Sequence, residues 1–207
     1  MLLEKLYQGK IKLSLMEKLT GLNRFKTAVF ISGTGSNFKN LIKFSKTKKS
    51  PISINLVISN VRKAKGLRHA DKFNIKKKIF NFSNIKDTEK KILNLLKKEK
   101  INLICLAGFM KILSKNFIKK FNGKIINIHP SLLPKYKGLN THFKAIKNKD
   151  RFAGCTVHYV TENIDSGKII MQKKIKVAAQ DNAISLAKKI LKQEHKLYPA
   201  AIMRIFN

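Results

Sequence analysis

The stretch INIHPSLLPKYKG carries an amide, Asn127, and an imidazole, His129, directly after a run of apolar residues. The apolar run predicts a strand over residues 124–129, and strand alternation places both polar side chains on the same face of it. Pro130 and Pro134 restrict the backbone of the loop that follows. An Asn-x-His pair is usually structural, but a rigid loop at the end of a buried strand favours catalysis. An imidazole there can transfer protons near neutral pH.

A glycine-rich turn, SGTGSN, covers residues 32–37 and joins a predicted strand to a predicted helix. Gly33 and Gly35 allow a sharp turn, and Ser36 is a favourable residue to cap the helix. The free N–H groups and the dipole of such a helix attract an anion such as phosphate. Many turns of this kind are glycine-rich for geometry alone. The third glycine of a dinucleotide motif and the lysine of a P-loop are missing, which argues against both of those sites.

Two carboxylates also stand out. Asp165 opens a tight Asp-Ser-Gly turn in VTENIDSGKI, a pattern that is mostly structural. Glu194 shares a 3-4 spacing with Leu191 and Tyr198, which places it on the apolar stripe of the last predicted helix. Pro199 predicts a kink just beyond it. A carboxylate at that position either reaches water at the helix end or points into a site, and the sequence leaves both readings open.

Strands and helices alternate along the chain, so that these residues fall in loops between them. The predicted strands cover residues 26–32, 52–60, 77–82, 101–109 and 124–129, with two more at 153–160 and 168–177. The predicted helices cover residues 36–46, 64–73, 86–99, a short stretch after 109, 140–148 and 182–205. This order predicts an α/β fold, with a mostly parallel central sheet, helices on both faces and an antiparallel annex near the C-terminal part. Ligands bind beyond the carboxyl ends of such strands.

Length and composition predict a cytoplasmic protein with a single domain. The 207 residues include 43% hydrophobic residues, and no apolar run reaches the roughly 20 residues of a membrane span. Cys105 and Cys155 lie in apolar surroundings with no pairing that would indicate a disulfide or a metal. The net charge of +34 is almost entirely lysine, and the lysines are dispersed. Dispersal favours compositional drift over a specific nucleic-acid surface, although the charge attracts acidic substrates.

Five motifs in order resemble glycinamide ribonucleotide formyltransferase, the folate-dependent enzyme of purine synthesis: VFISGTGSN, LAGFMKILS, INIHPSLLPKYKGLNTH, GCTVHYVTENIDSGKII and QEHKLYP. The likeness runs from about residue 26 to about residue 206. It implies a Rossmann-like formyltransferase fold. It also implies an enzyme that transfers the formyl group of 10-formyltetrahydrofolate to the amine of 5'-phosphoribosylglycinamide. Residues 26–207 would form a single catalytic domain, and residues 1–25 an extension without an assigned function, with Met16 as an alternative start. We expect a monomer or homodimer that uses the folate as co-substrate and no metal.

The resemblance implies that Asn127, His129 and Asp165 form the catalytic trio. In that chemistry Asn127 donates to the oxyanion, His129 helps to move a proton, and Asp165 raises the pKa of the imidazole. The implied phosphoribosylglycinamide-binding residues are Gly35, Ser36, Asn37, Pro130 and Glu194. The implied folate-binding residues are Met110, Lys111, Ile112, Leu113, Asn127, Val160, Thr161, Glu162, Asn163, Ile164 and Asp165.

The sequence departs from the family pattern at three places. Lys111 stands where an arginine is common, and Asn140 stands where relatives often have histidine. An arginine early in the helix near residue 86 is not evident, and Lys86 or Lys90 are its candidate substitutes.

Three alternatives remain open. A methionyl-tRNA formyltransferase would suit the charge, but it usually carries a C-terminal tRNA domain and a different first loop. A formyltetrahydrofolate deformylase usually has an N-terminal regulatory domain, which residues 1–25 are too short to form. A basic nucleic-acid-binding protein would need grouped cations with stacking aromatic residues, whereas phenylalanine here falls mainly inside apolar runs.

Overall fold

Five strands pair in parallel in the computed structural model, which describes residues 24–206, and two further strands extend the sheet by antiparallel pairing. The strands are β1 (Phe25–Ile31), β2 (Ile52–Ser59), β3 (Lys76–Ile79), β4 (Leu103–Leu106), β5 (Lys124–His129), β6 (Phe152–Tyr159) and β7 (Ile169–Lys176). Their order in the sheet is β3-β2-β1-β4-β5-β6-β7. Strands β1 to β5 pair in parallel, and β6 pairs antiparallel with both β5 and β7. The predicted mostly parallel sheet with an antiparallel annex is confirmed.

Helices cover both faces of the sheet, as predicted. They are α1 (Ser36–Ser45), α2 (Leu67–Lys72), α3 (Ile85–Lys98), α4 (Lys115–Lys120), α5 (Thr141–Lys147) and α6 (Ala183–Phe206). One buried cluster joins the sheet to α1, α2, α5 and α6, and the other joins it to α3 and α4. Because both faces are covered, a central strand such as β4 is apolar at every position and fully buried.

The two edge strands differ from the centre in sequence and burial. All four residues of β3, Lys-Lys-Lys-Ile, are exposed, and β7 carries a Lys-Lys pair at Lys173 and Lys174. Charged edge strands discourage pairing with other chains. The edges therefore account for part of the lysine content without any ligand.

Several boundaries differ from the prediction for local reasons. Strand β4 ends at Leu106 and not near residue 109, because Gly108 turns the chain with a φ of +74°. The connection between β6 and β7 is a loop over residues 160–168 and not a short turn. Helix α6 contains Pro199, in agreement with the predicted helix over residues 182–205.

Helix α6 is fixed across the carboxyl ends of the central strands. The Tyr198 hydroxyl is fully buried and lies 3.0 Å from the carbonyl oxygen of Leu106 and 3.2 Å from that of Ile126. Glu194 lies one helical turn earlier on the same face of α6. This anchoring brings the carboxylate over the ends of β4 and β5.

The predicted extension, residues 1–25, falls outside the described residues except for Arg24 and Phe25, and so does Met16. Strand β1 begins at Phe25, one residue inside the segment assigned to that extension. Within residues 24–206, no helix has both the length and the apolar character needed to cross a membrane.

Candidate functional site

A cleft of about 700 Å³ opens at the carboxyl ends of the central strands. That volume is ordinary for a site that binds a small molecule or cofactor. The predicted residues that line it are Asn37, Met110, Lys111, Ile112, Leu113, Asn127, His129, Pro130, Val160, Thr161, Glu162, Asn163, Ile164, Asp165 and Glu194. Gly35 and Ser36 do not line it and lie beside Asn37 at the start of α1. The structure thus brings together most of the residues that the sequence singled out.

His129 is a buried polar side chain of the cleft, with 5% of its surface exposed. Its Nε2 atom lies 2.9 Å from the carbonyl oxygen of Tyr136, and its Nδ1 atom lies 3.3 Å from Oδ2 of Asp165. A carbonyl oxygen only accepts, so Nε2 carries a proton in this arrangement. A second proton on Nδ1 would donate to the carboxylate, so both nitrogens of the cationic ring have an acceptor in place.

Asp165 ties the loop after β6 to the loop after β5. Its backbone adopts a left-handed φ of +46°, and its Oδ2 atom accepts a hydrogen bond from the Gly138 N–H group at 2.8 Å. Its Oδ1 atom lies 3.5 Å from Nε2 of His158. The carboxylate therefore faces two imidazoles and one backbone donor.

Burial and charge oppose each other at His129 and Asp165. Burial lowers the pKa of His129 below its ordinary value, and the Tyr136 carbonyl and Asp165 only partly offset this. The predicted upward influence of Asp165 is present, but desolvation outweighs it. Burial also raises the pKa of Asp165, but hydrogen bonds from His158 and Gly138 and the nearby imidazoles hold it below its usual range. Burial thus favours the neutral form of His129, while the donors around Asp165 favour its charged form.

His158 is a site residue that sequence reasoning missed. The β5–β6 register pairs it directly with Asn127, whose Nδ2 atom lies 3.3 Å from Nε2 of His158. Its Nδ1 atom lies 2.9 Å from the carbonyl oxygen of Tyr159 and must carry a proton. Its Nε2 atom thus lies near both the Asn127 amide and Oδ1 of Asp165. Strand alternation within GCTVHYV was the available signal, but the pairing of β6 with β5 was needed to use it.

The glycine-rich turn brings α1 close to a second loop. Gly35 has a φ of +71°, and a Cβ atom there would lie 2.6 Å from the Cα atom of Gly66. The first helical hydrogen bond runs from the Lys39 N–H group to Gly35, so the N–H groups of the first turn remain at the helix end.

The prediction that Ser36 caps α1 is wrong. Gly35 is the cap residue, because its left-handed backbone makes the turn, and Ser36 is already helical. The Ser36 hydroxyl lies 3.2 Å from Nε2 of His195 on α6.

Glu194 points into the fold and not into water, which resolves the alternative left open by the sequence. Only 7% of its surface is exposed, and its Oε2 atom accepts from the Asn37 amide at 2.6 Å. Burial raises the pKa of this carboxyl, and the Asn37 hydrogen bond offsets part of the rise. The Oδ1 atom of Asn37 is buried and has no hydrogen-bond partner within residues 24–206. This end of the cleft therefore offers polar groups to a ligand.

Residues 110–113 and residues 160–165 form the two walls of the cleft. Apolar side chains on both walls are unusually exposed for their residue types. Met110 and Ile112 expose 63% and 66% of their surfaces, and Ile164 on the opposite wall exposes 50%. Lys115 and Glu162 form an ion pair of 2.6 Å that joins the two walls at the surface. An extended apolar ligand between the walls would cover this surface.

Sequence reasoning also missed part of the lining. The loop after β5 contributes Gly138, Leu139, Asn140, Thr141 and His142, and other positions contribute Leu106, Gly108, Phe109, Ile128, Ala187 and Leu191. The motif INIHPSLLPKYKGLNTH extends into this loop and was the available signal. Asn140, one of the departures from the family pattern, lines the cleft, whereas Lys86 and Lys90 do not.

Within the part of the chain that the structure describes, no side chains are placed to bind a metal ion or to act as a reactive thiol. Histidine, cysteine and carboxylate side chains form no group of three or more there that could hold a metal ion. Cys105 and Cys155 are buried, and burial raises the pKa of each thiol to about 12.

Comparison with known proteins agrees with this geometry. Residues 25–202 match the family model described as Formyl transferase. A phosphoribosylglycinamide formyltransferase of Haemophilus influenzae is 42% identical over 180 residues, which cover 86% of this chain and 85% of that protein. The crystal structure of a phosphoribosylglycinamide formyltransferase from Brucella melitensis superposes with a TM-score of 0.84 and 41% identity, covering 88% of this chain and 96% of that one.

Longer relatives contain a similar segment. The human trifunctional purine biosynthetic protein adenosine-3 is 40% identical over 183 residues, which cover 87% of this chain and 18% of that protein. The chain thus spans less than a fifth of the length of this relative. Since the family model covers most of the chain and the relatives agree in fold and sequence, the chain belongs to the formyl transferase family.

Proposed function

We propose that this protein transfers the formyl group of 10-formyltetrahydrofolate to the amine of 5'-phosphoribosylglycinamide, as a step of purine biosynthesis. The observation that carries the proposal is the meeting of Asn127, His129 and Asp165 in one cleft. The cleft opens beside the N-terminus of α1, which suits a phosphate. The names of the relatives in Haemophilus influenzae and Brucella melitensis support the same substrate.

The two substrates fit different parts of the cleft. The phosphate of the acceptor binds at the start of α1, near Gly35, Ser36 and Asn37, and the dipole of the helix favours its charge. Glu194 contacts the glycinamide end, and Pro130 lies against the same substrate. The folate occupies the space between residues 110–113 and 160–165, where apolar side chains are exposed.

Asn127 and His129 stabilise the charge that forms during transfer. The amine attacks the formyl carbon, a C–N bond forms, and the carbonyl oxygen becomes an oxyanion. Asn127 directs one amide N–H towards His158 and has a second available for this oxyanion. A preorganised donor of this kind is worth roughly 3–4 kcal/mol in comparable sites.

His129 and Asp165 assist the proton transfer. The attacking nitrogen loses a proton and N10 of the folate gains one, after which the bond between the carbon and N10 breaks and releases tetrahydrofolate. His129 can bind and release that proton near neutral pH, and Asp165 stabilises its cationic form. The co-substrate and the side chains supply every group that these steps need, so the proposal includes no metal.

The remaining expectations follow from this assignment. Residues 26–207 act as one catalytic domain, and the enzyme is a cytoplasmic monomer or homodimer that acts on small molecules without a specific nucleic-acid partner. The dispersed positive charge helps to attract two anionic substrates.

The test is formyl transfer from 10-formyltetrahydrofolate, with 5'-phosphoribosylglycinamide and initiator Met-tRNA offered as separate acceptors. Turnover with the ribonucleotide alone is expected. Turnover with tRNA alone would mean that the catalytic loop is assigned correctly and the acceptor wrongly. Release of formate without an acceptor would indicate a deformylase instead.

A further inference from the structure

Side chains outside the cleft hold the start of the segment 110–113. The Met110 N–H group donates to the Ser32 hydroxyl at 2.7 Å, and that hydroxyl donates to Oδ1 of Asn60 at 2.5 Å. The Ser32 N–H group also donates to the carbonyl oxygen of Gly108 at 3.0 Å. The end of β1 and the end of β2 thus fix the point at which the segment leaves β4.

A buried carboxylate holds the other end of the segment. Oε1 of Glu89 on α3 accepts from the Ser114 N–H group at 2.7 Å, and Oε2 accepts from the Ser114 hydroxyl. The same hydroxyl accepts from the Phe117 N–H group at 3.1 Å and caps α4. Only 4% of the Glu89 surface is exposed. A buried carboxylate without such donors would be costly, so this contact is specific.

The segment between these two attachments has little packing of its own. Met110 and Ile112 are about two-thirds exposed, and Leu113 is the buried side chain among its four residues. Its backbone groups are therefore placed largely by the hydrogen bonds at its two ends. Ser32, Asn60 and Glu89 do not line the cleft and act on any ligand only through the segment.

We propose that Ser32, Asn60 and Glu89 are positioning residues that set the affinity of the enzyme for its folate substrate by holding the backbone of residues 110–114. The proposal rests on the proposed function, because it takes residues 110–113 as the folate wall. It predicts a selective effect. Loss of either attachment weakens folate binding, while binding of the ribonucleotide at the start of α1 and the chemistry at His129 are preserved.

The experiment measures the dissociation constant for tetrahydrofolate by calorimetry, together with the steady-state constants for both substrates. Ser32→Ala and Glu89→Ala are each expected to raise the dissociation constant and the KM for 10-formyltetrahydrofolate about five- to tenfold. The kcat and the KM for phosphoribosylglycinamide are expected to stay within about twofold. Asn60→Asp keeps an oxygen that accepts from the Ser32 hydroxyl, so it should retain the affinity for tetrahydrofolate. Asn60→Ala removes this acceptor and should lose that affinity.

Ser53→Ala is the matched control. Its hydroxyl donates to Oδ1 of Asn55 at 2.9 Å, a pair of the same chemistry at the opposite end of β2. This variant should bind tetrahydrofolate as the wild type does. Should Glu89→Ala fail to fold, Ser32→Ala and the two Asn60 variants decide the question.

Unchanged folate affinity in Ser32→Ala and Asn60→Ala would overturn the proposal. An equal rise in the KM values of both substrates would overturn it as well, because that is the mark of general destabilisation. The proposed function is judged separately, by the wild type. Tetrahydrofolate binding without formyl transfer to the ribonucleotide would overturn the proposed function and leave the positioning test intact. Absence of tetrahydrofolate binding would overturn both.

Discussion

The Asp165→Asn substitution isolates the charge of Asp165 from its structural contact. An asparagine oxygen can still accept from the Gly138 N–H group, which lies 2.8 Å from the carboxylate, so the loop geometry is expected to persist. The negative charge 3.3 Å from Nδ1 of His129 is lost. At that distance two unit charges attract by about 5 kcal/mol for an effective dielectric constant of about 20. The proposed mechanism requires the cationic ring, so the substitution should affect turnover directly.

The expected loss of turnover follows from how far a nearby charge usually shifts the pKa of a titratable group. An opposite charge at this range is worth about 1–3 pKa units, or about 1.4–4 kcal/mol. Burial already holds the pKa of His129 below its ordinary value, and Asp165 opposes that effect. Asp165→Asn should therefore lower the pKa of His129 further and lower kcat by about 10- to 1000-fold.

The assay combines an NMR titration of the His129 ring with steady-state formyl transfer across pH. Asp71→Asn is the matched control, since its carboxylate pairs with Lys77 at the surface, 2.5 Å away, and should leave kcat within about twofold. A folded Asp165→Asn variant with wild-type kcat and an unchanged pKa at His129 would refute the reasoning. A lower kcat without a pKa change would mean that Asp165 acts by position alone.

Three further predictions test other parts of the molecule. His129→Ala is expected to lower kcat by about 10²–10⁴-fold while the affinity for phosphoribosylglycinamide, measured by calorimetry, is retained; loss of both would show that His129 is structural. Gly35→Ala is expected to destabilise the fold by about 1–3 kcal/mol in urea denaturation, because a Cβ would lie 2.6 Å from Gly66 at a φ of +71°; an unchanged midpoint would contradict this. The free energy of unfolding should fall as the pH drops below 6.5, since burial holds the pKa values of His129 and His142 below 6.5 and the unfolded chain protonates first. Urea denaturation across pH measures the effect, and stability that rises on acidification through this range would argue against it.

Local sequence patterns predicted the helices and strands well. This is because a buried face requires apolar residues at the spacing of the helix or strand. The apolar stretch around Leu103 marked a strand covered on both faces, and the spacing of Ile92 and Leu96 marked a helix. Both lie in the structure where the pattern placed them. The residues that interrupt these patterns, Asn127, His129 and Glu194, were also visible, since a polar group on an apolar face is unusual.

The sequence alone could not supply the partners of those residues. His158 lies 31 positions from Asn127, and Asn37 lies 157 positions from Glu194. The Ser36 hydroxyl likewise lies near His195 on α6, 159 positions away in the chain. The raised pKa of Glu194 and the lowered pKa of His129 depend on such neighbours and on burial.

The sequence by itself therefore determined the order of strands and helices, the glycine-rich turn and the polar residues at the strand ends. The tertiary structure decided which of those residues meet. Strand order places β1, β4 and β5 side by side, and α6 is anchored across their ends by Tyr198. Hydrophobic periodicity is a local property that each segment carries, whereas a hydrogen bond or a pKa shift needs two groups brought together by long-range packing.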